Sequence, residues 1–378
     1  MLPVAIVGGG PVGLSLALML QRAGIGCAVL DARAVDAHRH DRRVLALSHG
    51  TRQILERLGA WAAIGATPID TIHVSQQGRL GRTRIEAAEV GVPALGYVAE
   101  AGRVAASLAR ACAGAGIAPR YGMQVSGCEP DAMRVLLRCD TPTGSEDLPA
   151  QLVAWAEGAV SAERGVVRRD YAQQAIVATV ETRAPPSGVA YERFTEHGPV
   201  ALLPRGGRYA LVWAVPDVDA AALSSLDDGA FLARLSAIFG GRHDFISAEA
   251  RAAFPLGLRY RETPVAERAV WLGNAAQTLH PVAGQGFNLA LRDATELALL
   301  LQSHSDDCGN AALLARHAAA RQLDRHAAIG FTDGLVRLFG LRDPLSAHAR
   351  GAGLLALDLL PAARRFLARR MIFGARGW

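Results

Sequence analysis

Leu2-Pro3-Val4-Ala5-Ile6-Val7-Gly8-Gly9-Gly10-Pro11-Val12-Gly13 opens the chain, and its continuation to Asp31 decides the fold. Leu2 to Val7 is a short apolar run suited to a strand buried on both faces. Gly8 to Gly10 form a tight turn, and Pro11 suits the first turn of the helix that follows. Leu14, Leu16, Ala17, Leu18 and Leu20 supply that helix's apolar content, and Gly24 and Gly26 end it. Cys27 to Leu30 is a second strand, closed by Asp31. This βαβ unit predicts a doubly wound, Rossmann-like α/β domain. Gly8, Gly10 and Gly13 then read as G-x-G-x-x-G in the right place. The first permits the turn, the second lets the backbone approach a pyrophosphate, and the third lets helix and strand pack closely. Asp31, with 17 residues between it and Gly13, is placed to accept hydrogen bonds from a ribose. The unit predicts dinucleotide binding and leaves NAD and FAD undistinguished.

Further along, residues 42–62 read mostly as helix, Thr71 to Ser75 alternates like a strand, and Val104 to Ala113 is a second helix. Between Gln173 and Pro216 several strands follow one another across Pro and Gly turns: Ala175 to Glu181, Val189 to Thr195, Val200 to Leu203 and Tyr209 to Val215. From Phe287 to Gly340 the spacing is helical with few breakers. The expected division is a discontinuous dinucleotide domain over 1–70, 97–170 and 265–340. An inserted, mainly antiparallel substrate domain takes 71–96 and 171–264, and a helical segment takes 341–378.

Composition narrows the chemistry. The chain has 378 residues, 51% hydrophobic and 20% charged, enough for two lobes of ordinary size. The net charge of +5 is too mild to argue for nucleic acid. All 40 basic residues are arginine, which excludes a P-loop lysine, a Schiff-base lysine and a lysine base. The five cysteines contain no C-x-x-C pair, so buried thiols in a reducing cytoplasm are expected rather than a disulfide or metal framework. Met1 to Gln21 is uncharged but lacks a basic leader and is broken by glycines, so no cleaved leader or membrane span is expected.

A second glycine-rich stretch begins at Val270–Trp271–Leu272–Gly273–Asn274 and continues through His280–Pro281–Val282–Ala283–Gly284–Gln285–Gly286–Phe287–Asn288. A strand end, a loop and a helix start suit the anionic side of a reduced flavin, although such a loop can equally be a structural turn. Together the two stretches resemble the p-hydroxybenzoate hydroxylase-like flavoprotein monooxygenases. Asp41 to Leu47, Ile72 to Ser75, Leu95 to Glu100, Tyr191 to Pro199 and Thr332 to Phe339 resemble its ubiquinone-biosynthesis branch, nearest the 2-polyprenyl-6-methoxyphenol hydroxylases. The chain departs from most of that superfamily in Asn274 for aspartate and Gln277 for histidine. The middle motif is altered to Trp155–Ala156–Glu157–Gly158, with Ser161 kept.

The resemblance implies an FAD-dependent aromatic hydroxylase acting on a polyprenyl phenol. It would use NADPH or NADH as electron donor and O2 as co-substrate, with a flavin hydroperoxide delivering the oxygen. It implies flavin contacts from Gly8, Gly10, Gly13, Asp31, Arg43, Gly273, Asn274, Pro281, Gly284, Gln285, Gly286 and Asn288. His280, Pro281 and Gln285 are the candidate catalytic residues, with His280 placed to handle the phenolic proton. Other readings are a flavoprotein epoxidase or reductase, and a non-catalytic subunit of a biosynthetic assembly. The C-terminal run of Leu354 to Leu360, then Arg364, Arg365, Arg369 and Arg370 among apolar residues, suits either a membrane interface or a docked helix. A cytoplasmic protein, peripheral at the inner face of the membrane and part of a ubiquinone-biosynthesis assembly, is expected.

Overall fold

The computed structural model describes residues 1–158, 160, 165–304, 306–341 and 343–375; Ser161 of the altered middle motif lies outside them. The Leu2–Val7 strand is central to an eight-stranded sheet, paired in parallel with Cys27–Asp31 on one side and with Gly144–Trp155 on the other. Ala269–Trp271 extends it in parallel, and Val135–Thr141 and Gln124–Pro130 fold back against it as a hairpin. Both faces of the central strand are covered. Val4 and Ile6 pack with Leu14, Leu18, Leu108 and Leu297 of the flanking helices, while Ala5 and Val7 pack with Leu30, Leu137 and Val153. That two-sided burial is why the strand reads as an unbroken apolar run.

A second eight-stranded sheet runs Gln277–Thr278, Phe245–Arg261, Val166–Thr182, Arg208–Pro216, Pro199–Arg205, Val189–Phe194, Thr71–Gln76, Arg82–Glu86. It is antiparallel except where Val189–Phe194 meets Thr71–Gln76. Its alternation sets up the site. Val200, Leu202, Leu211 and Trp213 point to one side, packing on Phe231 and Leu235 of the Asp228–Phe239 helix. Their neighbours Ala201, Leu203, Val212 and Ala214 line a cavity on the other. Small side chains on that face leave room for a ligand.

One helical expectation is corrected. Within 42–62, Val44–Ser48 is a strand paired with Gly96–Glu100, and the helix is only His49–Arg57. The Ser48 side chain accepts from the Thr51 amide as its N-cap. The pairing partner lies far along the chain, beyond the reach of a local periodicity. The helical spacing expected from Phe287 to Gly340 is found as two helices, Gln285–Gln302 and Ala311–Gly340. Asn310 caps the second through the Ala312 and Leu313 amides. Pro344–Leu359 and Pro361–Phe373 follow, each with proline in its first turn. No helix among the described residues is long and apolar enough to cross a membrane.

Candidate active site

A cavity of about 830 Å³ runs from the glycine turn to the cavity face of the second sheet. Gly8 and Gly10 line one end with Asp31, Arg33, His38 and Arg43. Gly273, Asn274, Pro281, Gly284 and Gly286 line its middle, and Glu192, Pro199, Val212 and Ala214 the far end. Two helices begin at it, and neither Gly10 nor Gly284 offers a side chain to cap its helix. Their first amides therefore stay available to an anion, reinforced by the helix dipole.

The close approach at the turn is demanding. A Cβ on Gly13 would sit 1.9 Å from the Gly8 carbonyl oxygen, so only glycine lets the helix lie this near the strand. Asp31 closes the turn: it accepts from the Gly9 amide at 2.7 Å and the Arg33 amide at 2.8 Å, and its Oδ2 lies 2.7 Å from His38 Nε2. Burial works against its charge, but these partners outweigh it and hold the carboxyl below the ordinary range. Three contacts leave a carboxylate room for a ribose hydroxyl. His38, which sequence reasoning passed over, orients this acid. Arg43 lines the cavity while paired with Asp41 at 2.6 Å. The altered Trp155–Gly158 segment keeps its backbone role. Ala156 N–H donates to Val7, and Trp155 accepts from Leu272. The Glu157 carboxyl faces the cavity, where burial and then nearby Asp31 raise its pKa.

The second glycine stretch divides its labour. Gln285 and Asn288 do not line this cavity with their neighbours. Gln285 Nε2 donates to the Met371 carbonyl of the last helix. Asn288 accepts from the Ser48 amide and the Thr51 hydroxyl, and donates to Ala46 and Gly284. Asn288 thus clamps the Val44–Ser48 strand to the start of the Gln285–Gln302 helix, holding the loop rather than a ligand. Gly13 acts the same way, by packing.

His280 is 1% exposed, and burial lowers its pKa to about 4. Its Nδ1 accepts from the Val282 amide, so the neutral ring carries hydrogen on Nε2, which has no partner among the described residues. The bond that fixes the ring occupies Nδ1 and leaves the hydrogen on a buried Nε2, so the neutral ring is poorly placed to accept a proton. A carboxyl that could accept a proton is instead offered by Glu192. Its side chain makes no hydrogen bond with the described residues, it faces the cavity, and burial raises its pKa to about 7. A strand position on the cavity face, alternating with Tyr191, was the sequence signal for it.

Gln277, where the superfamily has histidine, also has a structural account. It donates to Asp293 and accepts from Arg325, joining a buried network in which Arg321 bridges Asp293 and Asp324. Removing one member of such a pair costs about 3–5 kcal/mol. Arg321→Leu is expected to lose thermal stability on that scale, unrestored by excess FAD, as differential scanning calorimetry would show.

The residues present fit FAD: two uncapped helix starts that suit phosphate, an acid placed for a ribose, and a glycine-lined centre opening onto a second sheet. Comparison with known proteins agrees. Residues 1–332 match the family model described as FAD binding domain. The ubiquinone hydroxylase UbiL of Rhodospirillum rubrum is 32% identical over 97% of this chain and 88% of its own. The 3-demethoxyubiquinol 3-hydroxylase of Escherichia coli is 28% identical over 96% of each. Among solved structures, p-nitrophenol 4-monooxygenase PnpA of Pseudomonas putida has a TM-score of 0.79 at 18% identity, covering 100% of this chain and 99% of that one. HpxO of Klebsiella pneumoniae, complexed with FAD, has a TM-score of 0.76 at 18% identity over the whole of both chains. These two establish the fold alone. Fold and cavity together define an FAD-dependent monooxygenase. The chain belongs to the FAD binding domain family and, within it, to the flavin hydroxylases of ubiquinone biosynthesis.

Proposed function

We propose that this enzyme hydroxylates the ring of a 2-polyprenyl-6-methoxyphenol, with NADPH or NADH and O2, and that Glu192 accepts the phenolic proton. The observation that carries the reading is an unpartnered carboxyl at the end of the flavin cavity farthest from the phosphate cradle. Bound FAD, reduced by the nicotinamide, would supply an electrophilic oxygen derived from O2. The protein's part is to hold, orient and tune. Gly8, Gly10, Asp31 and Arg43 would hold the adenosine and pyrophosphate, and Gly273, Asn274, Gly284 and Gly286 the ring end. Amides at the Gln285–Gln302 helix start would favour the anionic reduced ring. Pro281 and Pro199 wall the space beside it. Glu192, taking the phenol's proton, makes that ring more electron-rich where oxygen is to be added.

The C-terminal helices support a peripheral membrane position at the inner face. Arg364 is buried against Glu89 at 2.8 Å, and Ala368 and Ile372 pack on Ile85 and Leu95, so one face docks on the protein. The other exposes Phe366 (61%), Leu355 and Leu359 together with Arg365, a pairing that suits a headgroup boundary. The test of function is direct. Purified protein should show a flavin spectrum that bleaches faster with NADPH when a short-chain 2-polyprenyl-6-methoxyphenol is present, with a product one oxygen heavier by mass. Bleaching indifferent to the phenol, with no such product, counts against the reading.

A further inference from the structure

A second cavity, of about 270 Å³, lies beside the first and has an almost wholly apolar lining. It shares Ala46, Ile69, Ile72, Glu192 and Val282 with the flavin cavity, so the two adjoin along one wall that carries the proposed proton acceptor. Beyond that wall the lining is mostly aliphatic and aromatic, with Val74 and Phe194 of the second sheet, Leu335 and Phe339 of the Ala311–Gly340 helix, and Leu354 and Met371 of the last two helices, while Ser48, Thr83, Gln285 and Asn288 add little polar surface. The helices that close this space are those whose outer faces display Leu355, Leu359 and Phe366.

From this juxtaposition we propose that the second cavity binds the first isoprene units of the substrate's polyprenyl tail, the rest leaving between the C-terminal helices toward lipid. The proposal rests on the reading of the substrate as a prenylated phenol. The chemistry of the two spaces is complementary to such a molecule. A hydroxylated ring needs the polar cavity with its carboxyl, whereas a branched hydrocarbon tail gains by leaving water for an apolar space. The shared wall is where a molecule with ring in one and tail in the other would cross. The space is too small for a long tail whole, so tail binding has a built-in limit. Affinity should rise with each added isoprene unit until the cavity is full and then level off.

The test uses FAD-loaded protein and reads ligand binding from flavin absorbance and fluorescence, independent of turnover. The ligands are 2-methoxyphenol, the same ring carrying one to four isoprene units, and farnesol. Leu335→Trp and Val74→Phe each fill the cavity from a different element, so that one variant failing to fold leaves the other. Wild type is expected to show the rise and plateau, and each folded variant a plateau at a shorter tail. Farnesol, a tail without a phenol, should bind wild type and lose affinity at least tenfold in the filled variants. That result supports the site even if the phenol proves the wrong ring. Equal affinity for tailed and tailless phenols, or a length dependence unchanged in both variants, overturns it.

Discussion

Glu192→Gln should bind FAD like the wild type and hydroxylate the phenol about 10²–10⁴-fold more slowly, the usual contribution of a positioned acid or base. The substitution keeps the side chain's shape on the cavity face and removes only its ability to take a proton. Wild-type turnover should rise with pH as the carboxyl ionises around 7 and then level, whereas the variant should lack that limb. Stability moves the opposite way. Burial raises the folded carboxyl's pKa from 4.5 to about 7, so the protonated form is the one the fold favours. Its stabilising effect is complete below 4.5 and is lost as pH climbs through 7. The glutamine variant should therefore melt higher than wild type at pH 8 and alike at pH 4. Lower activity with higher stability separates a functional acid from a structural one. A variant with wild-type turnover and an unchanged pH profile rules Glu192 out as the acceptor.

What was legible in the sequence follows from the range of each signal. Residues 2–31 declare strand, turn, helix and strand because the apolar run, the glycine turn and the closing acid are local signals, even though the strand also pairs with remote Gly144–Trp155. Gly8, Gly13 and Asp31 sit where that register puts them. The strand at Val44–Ser48 was read as helix because its partner, Gly96–Glu100, is remote and no pattern within 42–62 reports it. The same limit explains Gln285 and Asn288. Their spacing places them in the glycine-rich loop, but side-chain direction depends on Ser48, Thr51 and Met371, brought up from both ends of the chain. His38 and Glu192 were hidden differently. His38 belongs to no motif and Glu192 lies in a stretch, Tyr191 to Pro199, that carried the resemblance without marking a role; each gains its meaning from one neighbour: Asp31 for the first, an open cavity for the second. His280 was found by position, yet its role turned on a single backbone bond that no sequence shows.

Gly13→Ala should weaken FAD binding about 10- to 100-fold, the second large effect. The added Cβ would stand 1.9 Å from the Gly8 carbonyl oxygen, far inside any contact a carbon and an oxygen tolerate. Either the helix start backs away from the strand or the Gly8 peptide turns aside, and both move amides that would face the pyrophosphate. Overpacking of this kind costs about 1–3 kcal/mol, and each 1.4 kcal/mol is about tenfold in affinity. The strain falls on the turn proposed to face the pyrophosphate, so it should appear mainly as lost flavin. Gly26→Ala makes the same exchange just beyond the other end of that helix, where the nearest contact is an ordinary 3.6 Å to Pro3. Titrating both apoproteins with FAD by fluorescence quenching checks the argument. Loss in the first and wild-type affinity in the second would locate the effect at the phosphate turn. Equal losses would mean that helix propensity or general destabilisation governs flavin content, and that the close packing of Gly13 on Gly8 is not what sets the cradle.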